Sequence, residues 1–141
     1  MSDAPDPYQA LILEHGKRPR NAELPAAHSH AGEADNPLCG DRIQLQLQLD
    51  GERITAIGYR ADGCLLSIAA ASLMSEAATG ASLPELEQLD KRFRALVEGH
   101  GHDSLGDLVA FAPLADNPMR RGCATLPFDA LRAALTPTAE R

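Results

Sequence analysis

Three cysteines, each next to a glycine, carry most of the chemistry this sequence can do. Cys39 lies in N-P-L-C-G-D (36–41), Cys64 in A-D-G-C (61–64) and Cys123 in R-R-G-C (120–123). A thiolate is both a nucleophile and a soft metal ligand. Asp41 stands two residues from Cys39, across Gly40, and Pro37 with Gly40 makes the stretch a turn. From such a turn the thiol and the carboxylate can reach one centre, and both are competent zinc ligands. An ordinary loop with a free thiol is the alternative. An odd number of cysteines cannot all pair within the chain, and these are too widely spaced for the C-x-x-C pairs of a zinc finger. Any site they make must be assembled by tertiary folding.

Cys64 directly precedes a helical stretch. A helix N-terminus stabilises an anion and so favours a thiolate; a buried cysteine at a strand–helix joint is the plain alternative. Cys123 is read the same way, as a cysteine between a glycine and a final helix. Arg120 and Arg121 precede it, and Arg120 could hold a thiolate or persulfide in its anionic form. Arg121 reads as a solvated surface residue. The histidines are poor ligand candidates. His28 and His30 could line the site from the neighbouring segment but read more readily as exposed, and His100 and His102 flank Gly101 in a loop. His15 closes the first helix and would complement its dipole.

The elements that must position these residues follow from local pattern. Pro7 to Gly16 reads as a short helix with Tyr8, Leu11 and Ile12 on one face. Pro19 bars its continuation. The polar stretch from Ala22 to Asp35 supplies at most an edge strand. From Asp41 to Leu49 the chain alternates, with Ile43, Leu45, Leu47 and Leu49 against Arg42, Gln44, Gln46 and Gln48. That period of two marks a half-buried strand. Asp50-Gly51 is a tight-turn pair, so Arg53 to Arg60 returns as the second arm of a hairpin. Cys64 to Thr79 reads as an Ala-rich helix closed by Gly80. Ser82-Leu-Pro-Glu85 opens the next helix with a capping box, and that helix runs to about Glu98. Gly99 to Asp103 is a loop, Leu105 to Leu114 a short helical turn, and Cys123 to Leu135 the last helix. The tail after Pro137 reads as disordered. These elements give an α+β domain. A small antiparallel sheet of about three strands is packed on one face by several helices. The chain is one domain, residues 1–141, with an ordered core of about 7–135.

Composition narrows the function. The 141 residues carry 20 acids against 13 bases, a formal charge of −7, which argues against nucleic-acid binding. The longest apolar run, Cys64 to Met74, is too short to span a bilayer. The opening M-S-D-A-P-D-P lacks the pattern of a signal peptide, so a cytoplasmic location is expected.

At the three cysteine sites the chain resembles the U-type iron–sulfur cluster assembly family, which comprises IscU, the N-terminal part of NifU, and SufU. The matching stretches are N-P-L-C-G-D at 36–41, A-D-G-C-L-L-S-I-A-A-A-S at 61–72 and R-R-G-C-A-T-L-P-F at 120–128. H-G-K-R-P-R-N at 15–21 is similar to the end of the family's first helix and the turn after it. The resemblance runs from about Pro7 to Leu135. It is nearest the SufU branch, which has a long interval between the second and third cysteines and no histidine before the third. Gly122 takes that place here, where a lysine is more usual.

The resemblance implies an IscU/SufU-like fold and a zinc ion held by Cys39, Asp41, Cys64 and Cys123. It implies that Cys39 accepts persulfide sulfur from a cysteine desulfurase of the SufS type, with Arg120 near the metal. The protein would then be a zinc-dependent, sulfurtransferase-like accessory rather than a stand-alone enzyme. The alternative family role is a scaffold. There Cys39, Cys64 and Cys123 hold a nascent iron–sulfur cluster and pass it to a further scaffold or to apo-proteins.

Overall fold

The structure, a computed structural model, describes residues 7–100 and 103–136. The order is α1 (Pro7–Lys17), β1 (His30–Asn36), β2 (Asp41–Asp50), β3 (Arg53–Asp62), α2 (Leu65–Ala78), α3 (Leu83–Val97), a 3-10 segment (Asp103–Asp116) and α4 (Pro118–Leu135). The strands form one antiparallel sheet in the order β1-β2-β3. The α+β architecture expected from sequence is the one observed. No helix among the described residues is long and apolar enough to cross a membrane.

The sheet's register follows from the alternation in β2. Ile43, Leu45 and Leu47 are fully buried toward the helices, while the glutamines between them are half-buried on the other face. A slip by one residue would exchange these two sets, so the pattern fixes the pairing. Gly51, at a φ of 65°, turns β2 into β3, and the edge strand β1 falls inside the polar stretch.

Helix α4 lies across β1 and β2, and α2 runs between α1, α4 and β3. With partners on several sides α2 must be thin, and Ala69, Ala70, Ala71 and Ser72 are fully buried in it. The capping box of α3 forms as expected: the Ser82 hydroxyl accepts from the Glu85 amide, and the Glu85 carboxylate accepts from the Ser82 amide. Asp90 on α3 accepts from Arg94 and from Arg132 of α4, both at 2.7 Å, which ties the two helices together. Phe93, Phe111 and Phe128 join α3, the 3-10 segment and α4, with ring centroids 5.6 and 4.5 Å apart.

Three expectations need correction. The last helix begins at Pro118, not Cys123, so Cys123 sits in its second turn. Pro118 at the first helical position suits a helix start, and Gly122 is carried inside the helix rather than ending it. Arg121 is not a solvated surface residue: it is half-buried and donates to the Leu114 and Ala115 carbonyls at 3.2 and 2.6 Å. His15 does not serve the dipole of α1 as a cation. It is buried, its Nδ1 is 2.6 Å from the Ser72 hydroxyl, and burial, with Arg20 adding to it, lowers its pKa. Of the expected loop at 99–103, Gly99 and His100 follow α3 and Asp103 instead opens the 3-10 segment, while residues 101–102 and the tail after Pro137 lie outside the described residues.

Candidate metal and sulfur site

The β1–β2 turn presents Cys39. Asn36 holds it: its carbonyl accepts from the Cys39 and Gly40 amides at 3.3 and 2.8 Å, and its side-chain oxygen accepts from the Leu38 amide at 3.1 Å. Gly40 closes the turn at a φ of 76°, a conformation that favours glycine. The result is an exposed cysteine on a short turn.

Asp41 is the first residue of β2 and, in step with Ile43, faces the helices, where it is 4% exposed. The start of α2 arrives over it. The Cys64 amide donates to Asp41 Oδ1 at 3.1 Å and the Ser67 hydroxyl to Oδ2 at 2.5 Å. Gly63 permits this approach, because a Cβ there would fall 2.6 Å from the Asp41 carboxyl carbon. Burial opposes the charge on Asp41, but the bonds from Ser67, Cys64 and Cys39 outweigh it and hold the carboxyl below its usual range. Among the described residues no cationic side chain pairs with this buried carboxylate. Neutral donors alone satisfy it.

Cys123 comes in from α4, 6% exposed. Its sulfur is 3.6 Å from that of Cys39, and the ligand atoms of Cys39, Asp41 and Cys123 all lie within 4.8 Å of one another. Burial, with the thiols of Cys39 and Cys64 beside it, pushes the Cys123 thiol up to about 12. Gly122 leaves room for the Cys39 turn, since a Cβ there would meet the Asn36 side-chain nitrogen Nδ2 at 2.9 Å.

Cys64 stands at the edge of this group. It is the N-cap residue of α2, and its amide is committed to Asp41, but its sulfur lies outside the three-atom cluster, 3.6 Å from the Ser67 hydroxyl. The structure therefore brings three of the four expected ligands into one sphere and places the fourth beside it. Arg120 is exposed in the first turn of α4, three residues before Cys123. Its side chain makes no hydrogen bond or ion pair among the described residues. His30 pairs with Leu47, at the end of the β1–β2 ladder away from Asn36 and Asp41. His28 and His100 are exposed, and His102 lies outside the described residues.

The donor set suits a thiophilic cation. Two zinc–sulfur bonds of about 2.3 Å at a tetrahedral angle would set the sulfurs roughly 3.8 Å apart, and Cys39 and Cys123 stand at 3.6 Å. A cation would also neutralise a carboxylate that has no cationic partner. Two contributors escape a reading of the sequence for reactive types: Gly63, which makes room for Asp41, and Ser67, which bonds to it. The readable signal for Ser67 was its position three residues after Cys64, which puts both on one face of the first turn of α2.

A family model for the NifU-like N-terminal domain matches residues 7–136. The zinc-dependent sulfurtransferase SufU of Bacillus subtilis is 35% identical over 127 residues, covering 88% of this chain and 86% of that protein. The iron–sulfur cluster assembly scaffold protein IscU of Streptococcus pyogenes is 33% identical over 132 residues, covering 91% and 82%. A crystal structure of a SUF-system cluster assembly scaffold from Fervidobacterium islandicum superposes with a TM-score of 0.84 at 26% identity, covering 89% of this chain and 94% of that one.

Proposed function

The chain belongs to the NifU-like N-terminal domain family of iron–sulfur cluster assembly proteins, and on that premise we propose that it is a zinc-dependent sulfur acceptor of the SUF type. Cys39 takes sulfur from the persulfide of a cysteine desulfurase in the cytoplasm. The observation that carries this reading is the split in exposure within the cluster. Cys39 is exposed on a turn, while Asp41 and Cys123 are buried in regular elements. A residue that trades partners has to be reachable from outside; those that stay do not.

Cys39, Asp41, Cys64 and Cys123 would hold the zinc, which when bound keeps the thiols as anions. The sulfur step itself belongs to Cys39. Its thiolate attacks the terminal sulfur of the desulfurase persulfide, that S–S bond breaks, and the desulfurase thiolate leaves. A persulfide then stands on Cys39, and no net oxidant or reductant is consumed. Arg120, exposed three residues before Cys123 on α4, would meet that anion. Leu38 and Met119 are 90% and 83% exposed close to Cys39. With Pro37 and Pro118 they give a desulfurase an apolar rim to cover.

Cluster scaffolding is the second reading, favoured by two thiols and a carboxylate in one group with a third thiol beside it, and by the scaffold names of two relatives. One experiment separates them: a desulfurase assay with wild-type protein and with Cys39→Ala. The acceptor reading expects wild-type protein to raise the desulfurase rate and the variant to lose that stimulation entirely. Equal stimulation by both would overturn it. No stimulation by either, together with a visible-range cluster absorption after anaerobic addition of iron and sulfide, would favour the scaffold.

A further inference from the structure

Ser67 is fully buried in the first turn of α2, yet its hydroxyl touches three of the four candidate ligand residues. Oγ lies 2.5 Å from Asp41 Oδ2, 3.0 Å from the Cys123 carbonyl oxygen and 3.6 Å from Cys64 Sγ. These partners come from β2, α4 and the N-cap of α2. A hydroxyl has one proton to give and two lone pairs that accept. The two oxygens compete for that proton, and the Cys64 thiol can donate in return.

The Cys123 carbonyl is available for a reason written in the sequence. In a regular helix it would accept from the amide of residue 127. That residue is Pro127, inside α4, which has no N–H. The helix thus leaves one carbonyl unsatisfied at the cysteine of the site, and Ser67 reaches it from the neighbouring helix.

We propose that Ser67 is the positioning residue of this site, fixing the Asp41 carboxylate so that it faces the same metal ion as the Cys123 thiol, while its bond to the Cys123 carbonyl supports the fold of α4. The inference rests on the metal-site reading given above. Ser67 itself donates nothing to the ion. It occupies one lone pair of Oδ2, while the Cys64 amide occupies one of Oδ1, and this sets the plane of the carboxylate. Hydrogen-bond partners of ligating carboxylates commonly matter about 10–100-fold in metal affinity.

The test is cobalt(II) and zinc affinity of the full chain, measured by competition with a chelator, with thermal stability measured alongside. Ser67→Ala should weaken binding about 10–100-fold. A second variant separates positioning from support. Ser67→Ala combined with Pro127→Ala returns an amide donor to the Cys123 carbonyl but none to Asp41. That pair should recover stability lost in Ser67→Ala while its affinity stays low. Adding Ser67→Ala to Asp41→Ala should change affinity no further. Unchanged affinity in Ser67→Ala, or affinity that returns together with stability in the Pro127→Ala pair, would overturn the inference alone. Failure of the wild-type chain to bind either metal would instead overturn the metal-site reading, and this inference with it.

Discussion

The turn that carries Cys39 and the floor beneath it are built on opposite terms. Among the described residues the backbone amides of the turn at 37–40 are held by Asn36, and the turn shows Leu38 to solvent. The floor comprises Asp41, Ser67 and Cys123, at 4%, 0% and 6% exposure, locked by hydrogen bonds across β2, α2 and α4. The two thiols are 3.6 Å apart all the same. Their environments differ where their separation does not: Cys39 is exposed, whereas Cys123 is covered.

The sharpest way to break this contrast is thiol reactivity in the metal-free protein. Cys39 should react with iodoacetamide at least about tenfold faster than Cys123 at pH 8, because Cys123 is both covered and pushed up to about 12, and the thiolate is the reacting form. Peptide mapping by mass spectrometry reads the order. Equal rates would mean that the floor opens as readily as the turn.

A smaller effect sharpens the contrast from a seam away from the sulfurs. His15, on α1, bonds to Ser72 on α2, and burial is the first cause of its lowered pKa. Its folded pKa lies below its unfolded value of about 6.5. The stability it contributes is therefore present above that value and lost as pH falls through the folded pKa. Thermal melts across that window should show this loss in the wild type and a flatter profile in His15→Gln. Desulfurase stimulation by the variant at neutral pH should match wild type if the seam serves packing alone.

Much of this was legible before any coordinates. The alternation of Ile43, Leu45 and Leu47 with glutamines specified β2 and its face, and Ser82 with Glu85 specified the start of α3, since both signals are local. Asp41 and the cysteines stood out by type and by their glycines. What failed to show were properties that tertiary contact creates. Cys123 lies inside a helix because Gly122 can pack on Asn36 and because Ser67 satisfies the carbonyl that Pro127 leaves open. Read locally, R-R-G-C and the later proline look like a boundary. Arg121 looked solvated because nothing nearby in sequence marks the Leu114 and Ala115 carbonyls as its acceptors. His15 looked like a helix-end cation because its burial under α2 involves residues far along the chain. Cys64 was expected among the ligands from its place at a helix start and from the family resemblance. The structure adds that its sulfur rests against Ser67, just outside the sphere of the other three.

The most direct test of convergence on one ion is zinc-edge X-ray absorption on the protein as purified. This account predicts one zinc per chain with three sulfurs at about 2.3 Å and one oxygen at about 2.0 Å. A zinc shell of oxygen and nitrogen without sulfur, or a chain that retains no zinc, would contradict it.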